Sequence, residues 1–484
     1  MKKITRATTA SLVALTATMA AGAADDNQKE KFTLEPCFVD GIKNAARCAT
    51  VQLPLNYDDP DGKQIPIFVA VVPSSTASPE TDAFIVFSGG PGQASAEQGA
   101  FVDLAFDEIL GKRDVILIDQ RGTGKSYALS CNFDPIEDAD IEPKAAAEKC
   151  RSQQDIDVRH FTLENIIRDT EEIRARLGYD QLNLWGGSYG TKTASLYLKR
   201  YPERVRSVVV DGVLPPDTSL FSSAPASAER ALNKLIEDCS AQTSCNQAFP
   251  DIKAQVNALV EKASNGELRF KGLNPVTGVS VDIEMSIAMT VESIRSVMYN
   301  AEGTTILPFA INEASNGNLQ PLVAGLFGAE ALSNGMYLGS TLSLLCGEDV
   351  SSIGDDAAAA AGAGSFARDS YYKIWNEYCE GWDYIVPSAS DFYGPAEGDV
   401  PMLVLSGDLD PVTPPALGEH WVKGFPNGRH IVVKGTGHNT SYVACMPSLI
   451  SEFVDNLDAA ALDTSCLDHL ARLPLVISAN GNVQ

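Results

Sequence analysis

The chain has 484 residues, 44% of them apolar and 21% charged, and a formal net charge of −26. That balance excludes wholesale disorder and collagen-like repeats, and the length asks for a large core with an inserted or second domain. So acidic a chain is ill suited to phosphate backbones or anionic lipid, and no nucleic-acid partner is expected.

Residues 1–23 read as a signal peptide. Lys2, Lys3 and Arg6 form a basic start, Leu12 to Ala20 a short apolar stretch, and Ala21-Gly22-Ala23 a small-residue cleavage site. The stretch is too short for a permanent bilayer anchor, and no later segment is apolar for long enough. An exported protein, periplasmic or secreted and without a membrane anchor, is expected. The ten cysteines all follow this segment. An even count in an oxidising compartment reads as five disulfides, and nearest-neighbour pairing (37–48, 131–150, 239–245, 346–379, 445–466) closes short local loops. No C-x-x-C or H-E-x-x-H occurs and there are only five histidines, so neither a metal nor another cofactor is expected.

Residues 51–57 and 65–72 read as paired strands around a turn at Asp58-Asp59-Pro60-Asp61-Gly62. Short continuous apolar runs follow at Phe84–Phe87, Val115–Ile118, Leu182–Trp185, Val205–Val210, Met402–Leu405 and Ile431–Val433. Runs of this kind suit strands covered on both faces, as in a parallel sheet. Helices are predicted at Leu163–Leu177, between Thr162 and Gly178, and at Thr191–Tyr201, ended by Pro202. The alternation argues a doubly wound α/β core. It lapses between about Pro215 and Ser388, where helices and loops predominate. The expected division is a core at 24–214 and 396–484, interrupted by a helical cap at 215–395. The alanine-rich 355–364 is expected to be a mobile loop.

Gly186-Gly187-Ser188-Tyr189-Gly190 matches G-x-S-x-G, and its setting between a predicted strand and a predicted helix is that of a nucleophile elbow. A serine hydroxyl needs a base held by a third group. On such a sheet the chain order is nucleophile, acid, histidine. His420 falls in a predicted helix, His430 opens a strand and His469 lies in a C-terminal amphipathic segment. His438 sits on a loop just past a core strand and is the candidate base. The acid should follow Met402–Leu405, where Asp408 and Asp410 compete. Asp410 lies deeper in the loop, and Asp408 suits a turn cap. For the oxyanion hole, one N–H should come from Tyr189 and the other from Ser88-Gly-Gly-Pro-Gly92, with Gly90 the candidate. Gly122-Thr-Gly-Lys-Ser126 ends like a phosphate-binding loop but has Asp119 where that loop needs its first glycine.

Ser88-Gly-Gly-Pro-Gly92, Asp119-Gln-Arg-Gly-Thr-Gly-Lys-Ser126, Gly186-Gly-Ser-Tyr-Gly190, Gly407-Asp-Leu-Asp-Pro411 and Gly437-His438 occur in the order seen in prolyl-aminopeptidase-like serine peptidases, an α/β-hydrolase group. The chain most resembles the exported, cysteine-bearing branch with a tripeptidyl-aminopeptidase-like C-terminal region. It departs from the family at Ser88, where a histidine is usual. The resemblance implies an α/β-hydrolase fold, and exopeptidase action on short peptides with a free N-terminus. It further implies cap acids that hold the substrate amine, here Glu348 first and Asp349 second. The same triad also serves carboxylic-ester hydrolases, and a binding protein could keep the fold without the chemistry. Carboxylates facing the serine would indicate a peptidase, an all-apolar pocket an esterase.

Overall fold

A computed structural model describes residues 32–133, 141–275, 277–333, 335–387 and 391–481. The expected signal peptide lies outside them. Eleven strands are described. The first seven are β1 (Glu35–Cys37), β2 (Ala46–Pro54), β3 (Gln64–Val72), β4 (Ala83–Phe87), β5 (Asp114–Ile118), β6 (Leu182–Gly187) and β7 (Val205–Asp211). The others are β8 (Arg269–Leu273), β9 (Ser280–Glu284), β10 (Met402–Gly407) and β11 (Gly428–Val433). Nine form one sheet in the order β1-β2-β3-β5-β4-β6-β7-β10-β11. Pairing is antiparallel from β1 through β3 to β5 and parallel from β5 to β11. The fold is therefore the expected α/β-hydrolase arrangement, with a mostly parallel sheet.

The continuous apolar strands are explained by what covers them. In β4, Ala83, Ile85 and Phe87 belong to one buried cluster, and Phe84 and Val86 to another across the sheet. A period of two thus divides one apolar run between two hydrophobic layers. Helix Leu163–Leu177 has the expected bounds. The Thr162 hydroxyl accepts the Asn165 N–H at 3.3 Å, and Gly178 ends the helix at φ +87°.

Between β7 and β10 the chain builds helices from Leu220 to Glu380; the middle ones close on a separate apolar core that includes Leu232, Leu235, Val256 and Ile311, while Phe221, Leu342, Leu345 and Tyr372 join the core of the sheet. Two features depart from expectation. The antiparallel hairpin of β8 and β9 interrupts the helices. Residues expected to be a mobile loop instead form helix Asp355–Gly362 with Ala358 buried, in keeping with alanine's helix propensity. The C-terminal tail also returns to the cap: Leu475 joins its core, and the Val476 N–H donates to the Thr305 carbonyl at 2.9 Å.

The cysteines pair as 37–48, 131–150, 239–245, 346–379 and 445–466, the nearest-neighbour pattern, and none is free. Among the described residues no helix is long and apolar enough to cross a membrane. The loop with the failed phosphate-binding pattern is a structural clamp. Asp119 accepts N–H bonds from Ala96 and Lys125, and fully buried Arg121 pairs with Asp169 at 2.7 Å.

Candidate active site

Strand β6 runs into a tight turn at Ser188, and helix Gly190–Arg200 leaves it. Ser188 has φ +54°, a left-handed conformation that costs a non-glycine residue about 1–2 kcal/mol. The surroundings hold it there. Its N–H donates to the Asp211 carbonyl at 2.9 Å, and the Thr191 hydroxyl donates to its carbonyl at 2.6 Å. A side chain on Gly190 would collide with the Phe87 carbonyl, which is why the turn packs this closely only with glycine. The N-terminal end of the helix lies directly behind the serine, where its dipole favours developing negative charge.

The loops after β10 and β11 bring Asp410 to His438. The ring Nδ1 lies 2.7 Å from Asp410 Oδ2, with Asp410 wholly buried. The other carboxylate oxygen accepts N–H bonds from Val412 at 2.8 Å and Thr413 at 2.9 Å, and the Thr413 hydroxyl donates to Oδ2 at 2.7 Å. Burial alone would raise the Asp410 pKa, but the imidazole and the donated bonds hold it below the ordinary aspartate value. For His438, burial works downward, and the Asp410 and Asp211 carboxylates outweigh it and lift the ring above its usual value. Nε2 is buried and meets no hydrogen-bond partner among the described residues. With Nδ1 turned to Asp410, Nε2 is the nitrogen left to act as acceptor, and no hydrogen bond joins it to Ser188 Oγ in this structure.

Asp408 takes the other role weighed for it: its Oδ1 accepts the Gly435 N–H at 2.7 Å and braces the turn that leads to His438. His420 pairs with Asp217, and His430 with the Ser406 hydroxyl.

On the oxyanion side, Gly89 makes the close approach. A side chain there would lie 2.9 Å from Ser188 Cβ and 3.3 Å from the Tyr189 nitrogen. Gly90 follows at φ +104°. The loop therefore passes over the elbow at Gly89, and Gly90 is the next residue along it.

Glu348 and Asp349 end a single π turn, Leu345–Asp349, and are 1% and 0% exposed. They lie beneath the elbow, not in an open cleft. Glu348 Oε1 accepts the Leu163 N–H at 2.8 Å, and its Oε2 lies 3.5 Å from the Tyr189 hydroxyl. Burial pushes its pKa up to about 8, with a smaller push from Asp349. Asp349 Oδ1 accepts from Lys192 Nζ at 2.8 Å and the Leu220 N–H at 3.0 Å, while Oδ2 is buried without a partner among the described residues. Both carboxylates are thus largely engaged within the protein.

Sequence reasoning passed over three contributors. Thr413 follows Asp410 by three residues, a spacing at which a hydroxyl readily returns to a carboxylate. Asp211 is a charged residue ending an apolar core strand, a recognisable signal. Tyr299, whose carbonyl accepts the His438 N–H at 2.7 Å, sits in the cap and has no local signature.

Comparison with known proteins agrees with this fold. Residues 82–236 match the family described as alpha/beta hydrolase fold, and residues 365–466 match the one described as TAP-like protein. The first match agrees with the α/β-hydrolase fold of the sheet, and the second makes the C-terminal region similar to the TAP-like family. It is 26% identical over 236 residues to serine protease Hip1 of Mycobacterium tuberculosis, covering 44% of this chain and 45% of that one. It is 31% identical over 204 residues to a tripeptidyl aminopeptidase of Streptomyces lividans, covering 38% of each. It is 32% identical over 224 residues to carboxylesterase B of M. tuberculosis, covering 41% of this chain and 43% of that one. The chain thus spans less than half the length of each relative.

Proposed function

We propose that the protein is an exported serine exopeptidase that removes residues from the N-terminal end of short peptides through an acyl-enzyme. The observation that carries the reading is the Asp410–His438 pair, buried and 2.7 Å apart, with a free Nε2, in a fold whose elbow presents Ser188. Five disulfides support an oxidising compartment. The likeness to a serine protease and to a tripeptidyl aminopeptidase supports the substrate class.

In this reading Ser188 Oγ attacks the scissile carbonyl carbon as its proton passes to His438 Nε2. Asp410 holds the Nδ1–H and stabilises the imidazolium. The Gly90 and Tyr189 amides bind the oxyanion. Collapse breaks the C–N bond, and the leaving amine takes the proton from Nε2. Water, deprotonated by the same nitrogen, then attacks the acyl carbon, releasing the acid and returning the proton to Ser188. Glu348 and Asp349 remain the candidates for the substrate ammonium, Asp349 Oδ2 being the oxygen without a partner.

A carboxylic-ester hydrolase is the second reading. It is favoured by the engagement of both cap carboxylates inside the protein and by the likeness to carboxylesterase B. A chromogenic peptide amide with a free amine, the same peptide N-acetylated, and a short-chain ester separate the two. The exopeptidase should lose most of its activity on acetylation, because the charge met by a desolvated carboxylate is gone. Equal cleavage of free and blocked peptides would remove the exopeptidase reading. Turnover of the ester alone would leave the esterase.

A further inference from the structure

The end of β7 touches both halves of the candidate machinery. The Asp211 main-chain carbonyl accepts the Ser188 N–H at 2.9 Å and so fixes the nucleophile turn from below. Its carboxylate, fully buried, reaches the other way, into the loop that carries His438. Oδ2 accepts the Thr440 N–H at 2.6 Å, the Ser441 N–H at 2.7 Å and the Ser441 hydroxyl at 2.7 Å, and Oδ1 accepts the Thr440 hydroxyl at 3.2 Å. The Ser441 hydroxyl in turn accepts the Trp185 indole N–H at 2.9 Å, tying the same loop to β6. The next residue, Gly212, has φ +65°, and a side chain there would lie 2.9 Å from Cε1 of the His438 ring. The imidazole therefore lies against bare backbone directly after Asp211.

Such a site is costly to build. A carboxylate withdrawn from water needs its lone pairs satisfied, and two of the donors here are main-chain N–H groups that no side-chain change can remove. Nothing in the strand pairing requires an acid at this position. The donors it collects all come from the two residues that follow His438 and Asn439.

We infer that Asp211 is a positioning residue that holds the histidine loop in register with the nucleophile. The inference rests on the serine-hydrolase reading of Ser188 and His438. It acts through geometry, because one residue fixes both the Ser188 amide and the backbone two residues past His438. It also acts through charge. The charged and titratable groups facing the ring are Asp410 from the β10 loop, Asp211 from β7, and Arg295 and Tyr299 from the cap. The two carboxylates favour the imidazolium and Arg295 opposes it.

The test is Asp211→Asn. The amide fills the same volume, but its NH2 meets a loop of donors or its oxygen replaces only one of two acceptors. A displaced base costs on the order of 10²-fold. Against the wild type, kcat should fall about 10²-fold with KM little changed, and the acid limb of the kcat/KM profile should move to lower pH as a negative charge near His438 is lost. A purely structural residue would not move that limb. Ser441→Ala, which keeps the charge and both main-chain bonds, should lower kcat only several-fold with the limb unmoved, and it carries the test if Asp211→Asn does not fold. Labelling of Ser188 by a fluorophosphonate in the wild type keeps the two ideas apart. An unlabelled Ser188 would sink the hydrolase reading. A labelled wild type with wild-type kcat and limb in a folded Asp211→Asn, or with unchanged kcat in Ser441→Ala, would overturn the role of Asp211 alone.

Discussion

Asp410→Asn is the most informative single substitution, because the surrounding donors dictate how the new amide must sit. Asp410 Oδ1 accepts two main-chain N–H bonds, from Val412 and Thr413. These are obligatory donors in a fully buried place, so the asparagine carbonyl must take that position. The NH2 is then forced toward His438 Nδ1 and the Thr413 hydroxyl, where the carboxylate oxygen stood. An NH2 donates, so Nδ1 must become the acceptor and the ring proton moves to Nε2. A protonated Nε2 cannot take a proton from Ser188. In a serine protease with this arrangement the same exchange costs about 10⁴-fold in kcat, equivalent to about 5 kcal/mol of transition-state stabilisation. Asp408→Asn should cost less than about 10-fold, because an amide oxygen can still accept the Gly435 N–H. Steady-state kinetics on one chromogenic substrate, with circular dichroism to confirm folding, measures both. The reasoning fails if folded Asp410→Asn keeps a tenth of wild-type kcat, or if Asp408→Asn is the more damaging change.

Ser188→Ala should abolish turnover with little change in melting temperature, and Ser188→Gly should melt higher than Ser188→Ala, since only glycine relieves φ +54°; calorimetry on both variants checks the order. Lys192→Met should lower stability by about 3–5 kcal/mol in urea titrations, because Lys192 and Asp349 are both buried and Asp349 would lose its countercharge; Lys192→Met with Asp349→Leu should recover much of it. Glu348 carries a pKa raised to about 8, so folding takes up a proton above the unfolded glutamate value, and its contribution to stability, complete below that value, is lost as pH rises through about 8. Glu348→Gln removes this dependence, so melts at pH 5 and pH 8 should show the variant gaining on the wild type at the higher pH; a difference constant with pH would refute the raised value.

The core was readable because its signals are local. Each parallel strand is an apolar run of strand length, and Thr162 and Gly178 mark their helix with a cap at either end. The elbow was readable because steric crowding at one turn demands glycines at fixed spacing around Ser188. Asp410 and His438 could be chosen because the chain order of such sites is fixed by topology and histidines are few. The cap was harder. Hairpin β8–β9 has only a thin apolar face, Phe270, Val281 and Ile283 against the cap core, set among charged residues in two five-residue strands, and so short an alternation does not stand out among helices. Glu348 and Asp349 were pointed to by the family resemblance alone, and their partners Leu163, Tyr189 and Lys192 lie more than 150 positions away. No local pattern reports contacts of that range, and the depth of both carboxylates was therefore visible only in three dimensions.

Those long-range contacts also decide how the cap and the machinery are joined. The cap reaches the core through buried polar links as well as apolar packing. Tyr299 accepts the His438 N–H, and the carboxylates of Glu348 and Asp349 bind the Leu163 N–H and the Lys192 ammonium. The Tyr299 ring lies edge-on to the imidazole with centroids 5.3 Å apart. Lifting the cap as a rigid body would strip a buried ion pair of one partner and free the amide of His438 itself. Leaving one buried charge unpaired costs about 3–5 kcal/mol by itself. The 3-10 turn Ser296–Tyr299 and the histidine loop therefore form one mechanical unit, and changes at Tyr299 or Arg295 should be felt in kcat as well as in KM. This arrangement joins the cap and the placement of the base to the same set of bonds.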